Sequence, residues 1–362
     1  MKERVRRVRI VGDGIAGLSA AIQLQRRFDV VVVKKSPSGR SSQFCSGLWN
    51  EAQRFVQTSL IPVEFVKNSS YLSMKGKVLS TPPELCVDLH MGPSLAFARD
   101  RDILSALSCR VKEAAHDEEE DVDLTVWADG AQRDFCVDLG YTVIRGLSPC
   151  KSLQMSFQSW GNGYRFACVN APGGCVQWFA TVPKSEFSVD AEVDLGAPFV
   201  PRFSTAKVDL KKLAQLFSSW AFAVPLIESC IVAEASRAVA SKFVDDDKNK
   251  KPGHVRIGDS FCVLDPILAV GASVGVEDAV LLGRVLVDQS LTWDQFERIR
   301  RARRSDLRKI ASFVNWLSQT RTLEKPRNRV FAAVPESLKT AVLKKSIETI
   351  SNTRFSKSMT AK

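Results

Sequence analysis

The chain has 362 residues, 45% of them hydrophobic and 25% charged, which is ordinary for a globular protein with two domains. Its nine cysteines are scattered without a CxxC pair, and its three histidines lack metal-ligand spacing, so we expect neither a disulfide framework nor a metal site. No apolar run approaches a membrane span, and the basic N-terminus enters a strand without a secretory signal. We expect a reducing intracellular compartment, the cytoplasm first and the mitochondrion as the alternative.

The net charge of +11 is concentrated in three segments, 1–9, 297–309 and 339–362. A basic surface can attract nucleic acid, anionic lipid or an anionic substrate. We prefer the simpler interpretation, in which these segments are solvated helix faces. Assembly with a protein or nucleic-acid partner through the basic N- and C-terminal segments is the alternative.

A strand ending at residue 11 runs into the turn Gly12-Asp13-Gly14-Ile15-Ala16-Gly17 and then into the helical run LSAAIQLQRRF. In GxGxxG the first glycine allows a tight turn, the second lets the backbone approach a pyrophosphate, and the third lets helix pack on strand. A second strand at 30–33 completes a βαβ unit and predicts a Rossmann-like fold. The acidic residue expected after that strand is replaced by Lys34, which can only donate hydrogen bonds to a ribose.

The middle of the chain alternates between helical and extended patterns. We predict helices at 48–60 and from 99, short extended pieces broken by prolines at 61–97, and a buried strand at 124–127 that ends in Asp129-Gly130. From 151 to 250, alternating patterns with glycine-rich turns predict a mostly antiparallel sheet, with strands at 155–160, 164–169 and 175–181 and a helix at 210–221.

The stretch 255–282 predicts a short strand ending in Gly258-Asp259, a loop, and a helix that opens near Gly271. Amide groups at such a helix N-terminus favour an anion or an electron-rich ring edge. Helices follow at 293–317 and 338–350. The predicted division assigns 1–70, 98–150 and 251–290 to a discontinuous Rossmann-like domain, 71–97 and 151–250 to an inserted sheet domain, and 291–362 to C-terminal helices.

Three motifs in order, GDGIAG at 12–17, WADG at 127–130 and IGDSFCVLDPILAVGASVGVEDA at 257–279, resemble the flavin-dependent aromatic hydroxylases and zeaxanthin epoxidase-type FAD-dependent monooxygenases. The third motif of that family, GDAAHxxxPxxGxGxxxxxEDA, is matched without a change in spacing. Smaller similarities are GLWNEA at 47–52 and the arginine-rich helix after the third motif. The resemblance covers residues 5–315.

The resemblance implies a cofactor, FAD, with NADPH as co-substrate. It places the first motif on the FAD pyrophosphate, Asp259 on the ribityl chain, and Pro266 with the following helix N-terminus beside the isoalloxazine. Arg101 is a candidate for the flavin-contacting arginine, with Arg99 as the competing register. The cofactor-binding residues carried over are Gly12, Gly14, Ile15, Ala16, Gly17, Lys34, Arg101, Asp129, Gly130, Asp259, Pro266, Gly271 and Ala272.

The implied chemistry is reduction of FAD by NAD(P)H and addition of O2 to form a flavin C4a-hydroperoxide, which hydroxylates or epoxidises a small hydrophobic or aromatic substrate. The cofactor performs the difficult step, so the sequence assigns no catalytic acid or base.

Five departures from the family pattern surround the implied cofactor. Lys34 replaces the ribose acid, Cys262 stands where histidine is usual, and Ala269 stands where the first loop glycine is usual. If Ala269 has a positive φ, it carries strain of about 1 kcal/mol or more. After WADG, Arg133 and Cys136 occupy the usual serine and arginine positions. Only about 26 residues separate Arg101 from WADG, roughly half the length usual in the family, which predicts that a β-meander is missing here. The alternative function is therefore a catalytically degenerate flavoprotein-fold subunit with a structural or interaction role in a larger, ribonucleoprotein-type assembly.

Overall fold

The computed structural model describes residues 6–33, 43–57, 60–66, 69–72, 78–80, 95–112, 122–150, 156–187, 208–220, 222–244, 253–319, 326, 329–330 and 333–351. Lys34 lies outside these residues. The strands are β1 (Arg7–Val11), β2 (Asp29–Val33), β3 (Cys45–Trp49), β4 (Val63–Phe65), β5 (Ser69–Leu72), β6 (Val78–Ser80), β7 (Leu95–Arg99), β8 (Leu124–Trp127), β9 (Cys136–Pro149), β10 (Ser156–Gly161), β11 (Tyr164–Ala171), β12 (Cys175–Pro183), β13 (Val232–Ser241) and β14 (His254–Arg256). The helices are α1 (Ile15–Leu24), α2 (Asn50–Val56), α3 (Asp100–Ser108), α4 (Leu210–Leu216), α5 (Ala223–Glu228), α6 (Gly271–Leu286), α7 (Trp293–Gln319) and α8 (Glu336–Ile350).

A four-stranded parallel sheet in the order β14-β8-β1-β2 holds the three sequence motifs at the carboxyl ends of its strands. The apolar runs of β1 and β8 place Val8, Ile10 and Val126 in its core with no exposed surface. Helix α1 connects β1 to β2 and packs against α6. This is the predicted Rossmann-like βαβ arrangement, extended by strands from much later in the chain.

A seven-stranded sheet in the order β13-β9-β12-β11-β10-β5-β6 forms the second layer, antiparallel except for the β10–β5 pair. Alternation along the strands separates its two faces. Phe166 and Trp178 pack on the face covered by α4 and α5, whereas Ala167 and Phe179 face the other side. Gly146 of β9 leaves room for the Trp178 ring, because a Cβ there would lie 2.0 Å from it.

A small antiparallel sheet, β3-β7-β4, lies between these layers. The Gln177 side chain, with no exposed surface, joins it to the seven-stranded sheet. Its Oε1 accepts from the Cys45 N–H at 2.6 Å and its Nε2 donates to the Cys45 carbonyl at 2.9 Å. The small sheet is therefore tied to β12 as well as to its own strands.

The arginine-rich part of α7 is solvated on one face only: Arg298 and Lys309 are exposed, as the preferred interpretation expects, but other arginines point inward. Arg300 and Arg304 are buried, and the Arg300 guanidinium carbon lies 3.5 Å from the Phe261 ring centroid and 4.4 Å from that of Phe296. Residues 296, 300 and 304 are spaced by four, so they share the face of α7 that packs inward. These arginines stabilise the interior through stacking and ion pairs rather than forming a basic surface.

The α/β fold class, with an antiparallel sheet inserted into a Rossmann-like domain and helices at the C-terminal side, is confirmed. Strand β9 pairs with β12 and β13, although the predicted division grouped its residues with the FAD-binding segments. Between α3 and β8 the described residues 109–112 and 122–123 contain no strand, and the loss of a β-meander stays a prediction. The domain boundaries themselves stay a prediction. No helix among the described residues is long and apolar enough to cross a membrane.

Candidate active site

The turn after β1 contains two glycines, Gly12 and Gly17, at which a side chain would collide with neighbouring backbone atoms. Gly12 has φ +120°, and a Cβ there would lie 2.4 Å from the Ala128 carbonyl oxygen. A Cβ on Gly17 would lie 1.9 Å from the Gly12 carbonyl oxygen. Both positions exclude a side chain, because backbone already fills the space that a methyl group needs.

Gly14 is different, since nothing in the described protein fills the space beside it. It has φ −78° and ψ −178°, which any residue adopts, and a Cβ there would meet no atom within 4 Å. It is the N-cap of the ten-residue helix α1, which has no side-chain cap, so amide groups near Ile15 and Ala16 are available to a ligand. Open space against a helix N-terminus suits a pyrophosphate, so these residues fit FAD.

The second motif lies directly against this turn. Ala128 donates its N–H to the Val11 carbonyl at 2.9 Å, and the position of a Gly12 Cβ would be 3.1 Å from the Asp129 nitrogen. Gly130 has φ +89° and, like Gly14, would place a Cβ in open space. The structure therefore brings Asp129 and Gly130 to the glycine turn, at the same edge of the parallel sheet.

The third motif reaches the same place from β14. Gly258, with φ +60°, lies so close to α1 that its Cβ would be 3.1 Å from the Ala16 Cβ. Its N–H donates to the Asp278 Oδ2 at 2.8 Å. Asp259, the next residue, is half-buried in a short 3-10 turn. All three motifs thus meet at the carboxyl edge of the sheet.

Two ion pairs connect the third motif to α7. Asp278 accepts from both terminal nitrogens of Arg304, at 2.8 and 2.6 Å, and both side chains are 1% exposed. Glu277 accepts from Arg303 at 2.9 and 3.0 Å. Burial would lower the pKa of the Arg304 guanidinium, but the charge and hydrogen bonds of Asp278 outweigh it and the pKa is raised. The acidic pair of the motif therefore has a structural partner in the arginine-rich helix.

The loop that contains Pro266 is held by one buried carboxylate. Asp265 accepts hydrogen bonds from the Ile267 N–H at 2.9 Å, the Tyr141 hydroxyl at 2.5 Å and the Asn315 amide at 3.0 Å. Burial raises the pKa of the Asp265 carboxyl, and these hydrogen bonds oppose the rise. One side chain thereby ties the loop to β9 and to α7.

Ala269 ends this loop in the left-handed conformation, with φ +52° and ψ 38°. Because the φ of Ala269 is positive, the residue carries the backbone strain of about 1 kcal/mol or more that was expected from the sequence. Its carbonyl oxygen would be 3.0 Å from a Cβ on Gly47. Gly271 and Ala272 follow as the half-buried first residues of α6, whose N-cap also lacks a side-chain hydrogen bond.

Cys262 is buried in the protein core. It is buried among the large apolar cluster, and its Sγ is 2.9 Å from the Arg308 Nη2. Burial raises the pKa of its thiol, while the charges of Arg304 and Arg308 oppose the rise. The departure from histidine at this position is accommodated by packing and by the arginine.

The other predicted contacts are placed less directly. Arg101 is on the exposed side of α3 and lies 3.5 Å from Asp102. The competing Arg99 donates to the Pro172 carbonyl at 2.6 Å. Arg133 begins a short 3-10 turn, and Cys136 starts β9 with its Sγ 3.3 Å from the Gln132 carbonyl oxygen. The roles of these residues stay predictions.

A cavity of about 960 Å³ opens from the 266–269 loop between the seven-stranded sheet and the C-terminal helices. Its walls are mostly apolar. The 266–269 loop and Trp49 lie on one side, and Phe313 and Trp316, each more than half exposed, lie on α7. The polar residues on its wall include Ser156, Gln158, Trp160, Arg165, Thr181, Lys309, Lys339 and Ser346. A mostly apolar chamber of this size is typical of binding sites for hydrophobic molecules.

The sequence did not indicate the residues that build this chamber. Trp49 lies in GLWNEA and Asp265 in the third motif, but the sequence assigned neither a role, and the partners of Asp265 are 124 and 50 residues away. The alternation in these two strands was a usable signal, because Arg165, Ala167 and Val169 of one strand and Phe179 and Thr181 of the other line the cavity. Among the described residues no group of three or more potential metal ligands occurs.

Sequence comparisons agree with this geometry. The sequence model of the FAD binding domain matches residues 7–58, and that of the squalene epoxidase family matches residues 223–347. The aurachin C monooxygenase/isomerase of Stigmatella aurantiaca is 30% identical over 177 residues, which are 45% of this chain and 42% of that protein. The matched region thus spans less than half of the relative.

Structural comparisons cover nearly the whole chain at low sequence identity. HpxO of Klebsiella pneumoniae, complexed with FAD and uric acid, has a TM-score of 0.69 and 16% identity over 95% of this chain and 97% of that one. CtdE with FAD and a substrate gives 0.70 and 13% over 96% and 99%. A salicylate hydroxylase substrate complex gives 0.68 and 15% over 97% and 98%. The chain thus has the fold of the FAD-dependent aromatic hydroxylases, and its residues 7–58 match the sequence model of a FAD binding domain, as its three motifs implied.

Proposed function

We propose that this chain binds FAD and uses it, with NAD(P)H and O2, to hydroxylate or epoxidise a hydrophobic substrate. The observation that carries the proposal is the position of the cavity. Its wall includes residues 266–269 of the third motif, so a molecule inside it lies against the segment assigned to the isoalloxazine. Substrate and cofactor then meet at one point in an apolar chamber.

The residues at the carboxyl edge of the sheet would hold the cofactor. The N-terminus of α1 at Gly14 would bind the pyrophosphate, and Asp259 would accept hydrogen bonds from the ribityl chain. Pro266 and the first residues of α6, Gly271 and Ala272, would hold the isoalloxazine. When bound, FAD supplies electron transfer from NAD(P)H and the activation of O2.

The protein's own contribution is positioning and the exclusion of water. The cavity is lined mainly by aliphatic and aromatic side chains from the sheet and from α7 and α8, which desolvate a bound substrate. Arg165 is fixed inside it by hydrogen bonds to the Ile267 carbonyl and the Gln158 amide, both at 3.1 Å. It therefore presents a directed donor in an otherwise apolar wall. No side chain is assigned a proton-transfer role.

The size of the cavity favours a substrate larger than a single aromatic ring. Its volume of about 960 Å³ is near the upper end of the range typical of pockets for drug-sized molecules, roughly 300–1,000 Å³. We therefore extend the prediction of a small hydrophobic or aromatic substrate to include lipophilic molecules of several rings or a ring with a chain.

The alternative, a degenerate subunit of a larger assembly, rests on the five departures around the cofactor position and on the basic N- and C-terminal segments. The α7 residues Arg300, Arg303 and Arg304 are stacked or paired inside the protein and add no support to it. Stable co-purification with a large complex, in a protein that stays colourless with added FAD, would support this alternative over the enzyme.

The decisive experiment is reconstitution of the purified full-length chain with FAD. We expect bands near about 370 and 450 nm, as oxidised flavins show in general, and NADPH oxidation that speeds up with a hydrophobic substrate. Asp259→Ala should raise the FAD dissociation constant, and Lys34→Glu should lower it if the ribose position is merely damaged. A chain that remains colourless with excess FAD would refute the proposal.

A further inference from the structure

The buried indole N–H of Trp49 has no acceptor within the described part of the chain. The residue is 5% exposed. Trp49 also lines the cavity. An indole N–H can only donate, and buried tryptophans normally place it against an acceptor.

The ring cannot easily turn to find an acceptor elsewhere. Trp49 is the last residue of β3, paired with Leu95 of β7, and its main-chain N–H donates to the Ser273 Oγ at 3.0 Å. Its side chain belongs to the same packed cluster as Leu95 and Phe97. The backbone is therefore fixed from two sides, and the indole is fixed by its neighbours.

We propose that Trp49 Nε1 donates a hydrogen bond to an oxygen of the molecule that occupies the cavity. The inference rests on the proposed function and narrows its substrate class. The ligand is a lipophilic molecule that carries one carbonyl-type oxygen, because the wall shared by Trp49, Leu95 and Phe97 is otherwise apolar. Trp49 then sets the orientation of the ligand, while the apolar walls supply most of the affinity.

A matched pair of probes tests this on the full-length chain. Calorimetry compares 2-acetylnaphthalene with 2-isopropenylnaphthalene, which differ only in an oxygen against a CH2 group. We expect the ketone to bind about threefold to tenfold more tightly to the unmodified protein, the value of one neutral hydrogen bond. Trp49→Phe should bring that ratio close to one. Trp316→Phe, the same change at an exposed position on the same cavity, should leave the ratio unchanged.

A second measurement needs no variant. The emission of 2-acetyl-6-(dimethylamino)naphthalene shifts to the red when its carbonyl accepts a hydrogen bond. In the unmodified protein we expect emission to the red of that in a hydrocarbon solvent, and a shift to the blue in Trp49→Phe. Hydrocarbon-like emission from dye bound to the unmodified protein would contradict the inference even if the variant does not fold.

Other outcomes also decide the matter. Equal affinity for ketone and alkene, an unchanged ratio in Trp49→Phe, or failure of both probes to bind would overturn the inference. If Trp49→Phe weakens FAD binding and leaves the ratio unchanged, the donor belongs to the flavin instead. All titrations are run with and without FAD. A chain that discriminates the ketone through Trp49 but never binds FAD would refute the proposed function and support this inference.

Discussion

The three glycines of the first turn should respond differently to alanine. Backbone atoms fill the Cβ position at Gly12 and Gly17, whereas the Cβ position at Gly14 is open. In Gly17→Ala the new Cβ would lie 1.9 Å from the Gly12 carbonyl oxygen, so backbone must move. We expect a loss of about 1–3 kcal/mol or more in the free energy of unfolding. In Gly14→Ala the Cβ meets no atom within 4 Å and the φ of −78° suits alanine. We expect a change within about 1 kcal/mol.

Gly14→Ala, which should leave the free energy of unfolding nearly unchanged, should weaken FAD binding. The methyl group of Gly14→Ala occupies the space assigned to the pyrophosphate and displaces it from the α1 amides. Losing one hydrogen bond to a charged group costs about 1.5–3 kcal/mol, so the FAD dissociation constant should rise roughly tenfold to a hundredfold. Urea unfolding and FAD titration by flavin fluorescence measure the two quantities. A Gly14→Ala protein that binds FAD within twofold of the unmodified chain would show that no pyrophosphate lies there.

Three further substitutions test the architecture around the motifs. Ala269→Gly should relieve the left-handed strain and raise the free energy of unfolding by up to about 1 kcal/mol, whereas Ala272→Gly within α6 should lower it by about 1 kcal/mol. Asp278→Asn should cost about 3–5 kcal/mol because a buried arginine loses its counter-charge, and the same change at exposed Asp294 should cost less than about 1 kcal/mol in urea unfolding. The raised pKa of Asp265 means that its ionisation disfavours the folded state, so the unmodified chain should lose stability relative to Asp265→Asn as pH rises from about 4 through that raised value. A stability difference that is constant with pH in thermal unfolding would contradict the assignment.

The sequence predicted the elements with strong local signals. The GxGxxG turn, the strand at 124–127 and the helix from Gly271 are found where the pattern placed them, because tight turns and apolar periodicity are local properties. Strand β9 escaped prediction because Gly140 and Gly146 interrupt its pattern. Gly146 is required by the Trp178 ring, which arrives from another strand.

The site itself was only half predictable. The family resemblance implied that the three motifs meet, and it marked Ala269 as strained if its φ is positive. It could not show that the described residues offer the Trp49 donor no acceptor, since that depends on every group around the indole. Residues 300 and 304 lie four and eight positions after Phe296, so the inward direction of those arginines was visible in the pattern but outweighed by their charge.

The double hydrogen bond between Gln177 and Cys45 has a consequence for how the molecule folds. A cut between the predicted cofactor and substrate segments would leave the Cys45 N–H and carbonyl, and a fully buried amide, without partners. Such losses are severe in a core. We therefore expect each segment to stabilise the other across this junction. The chain is expected to unfold in one cooperative transition, and fragments that divide it at this junction should fail to fold.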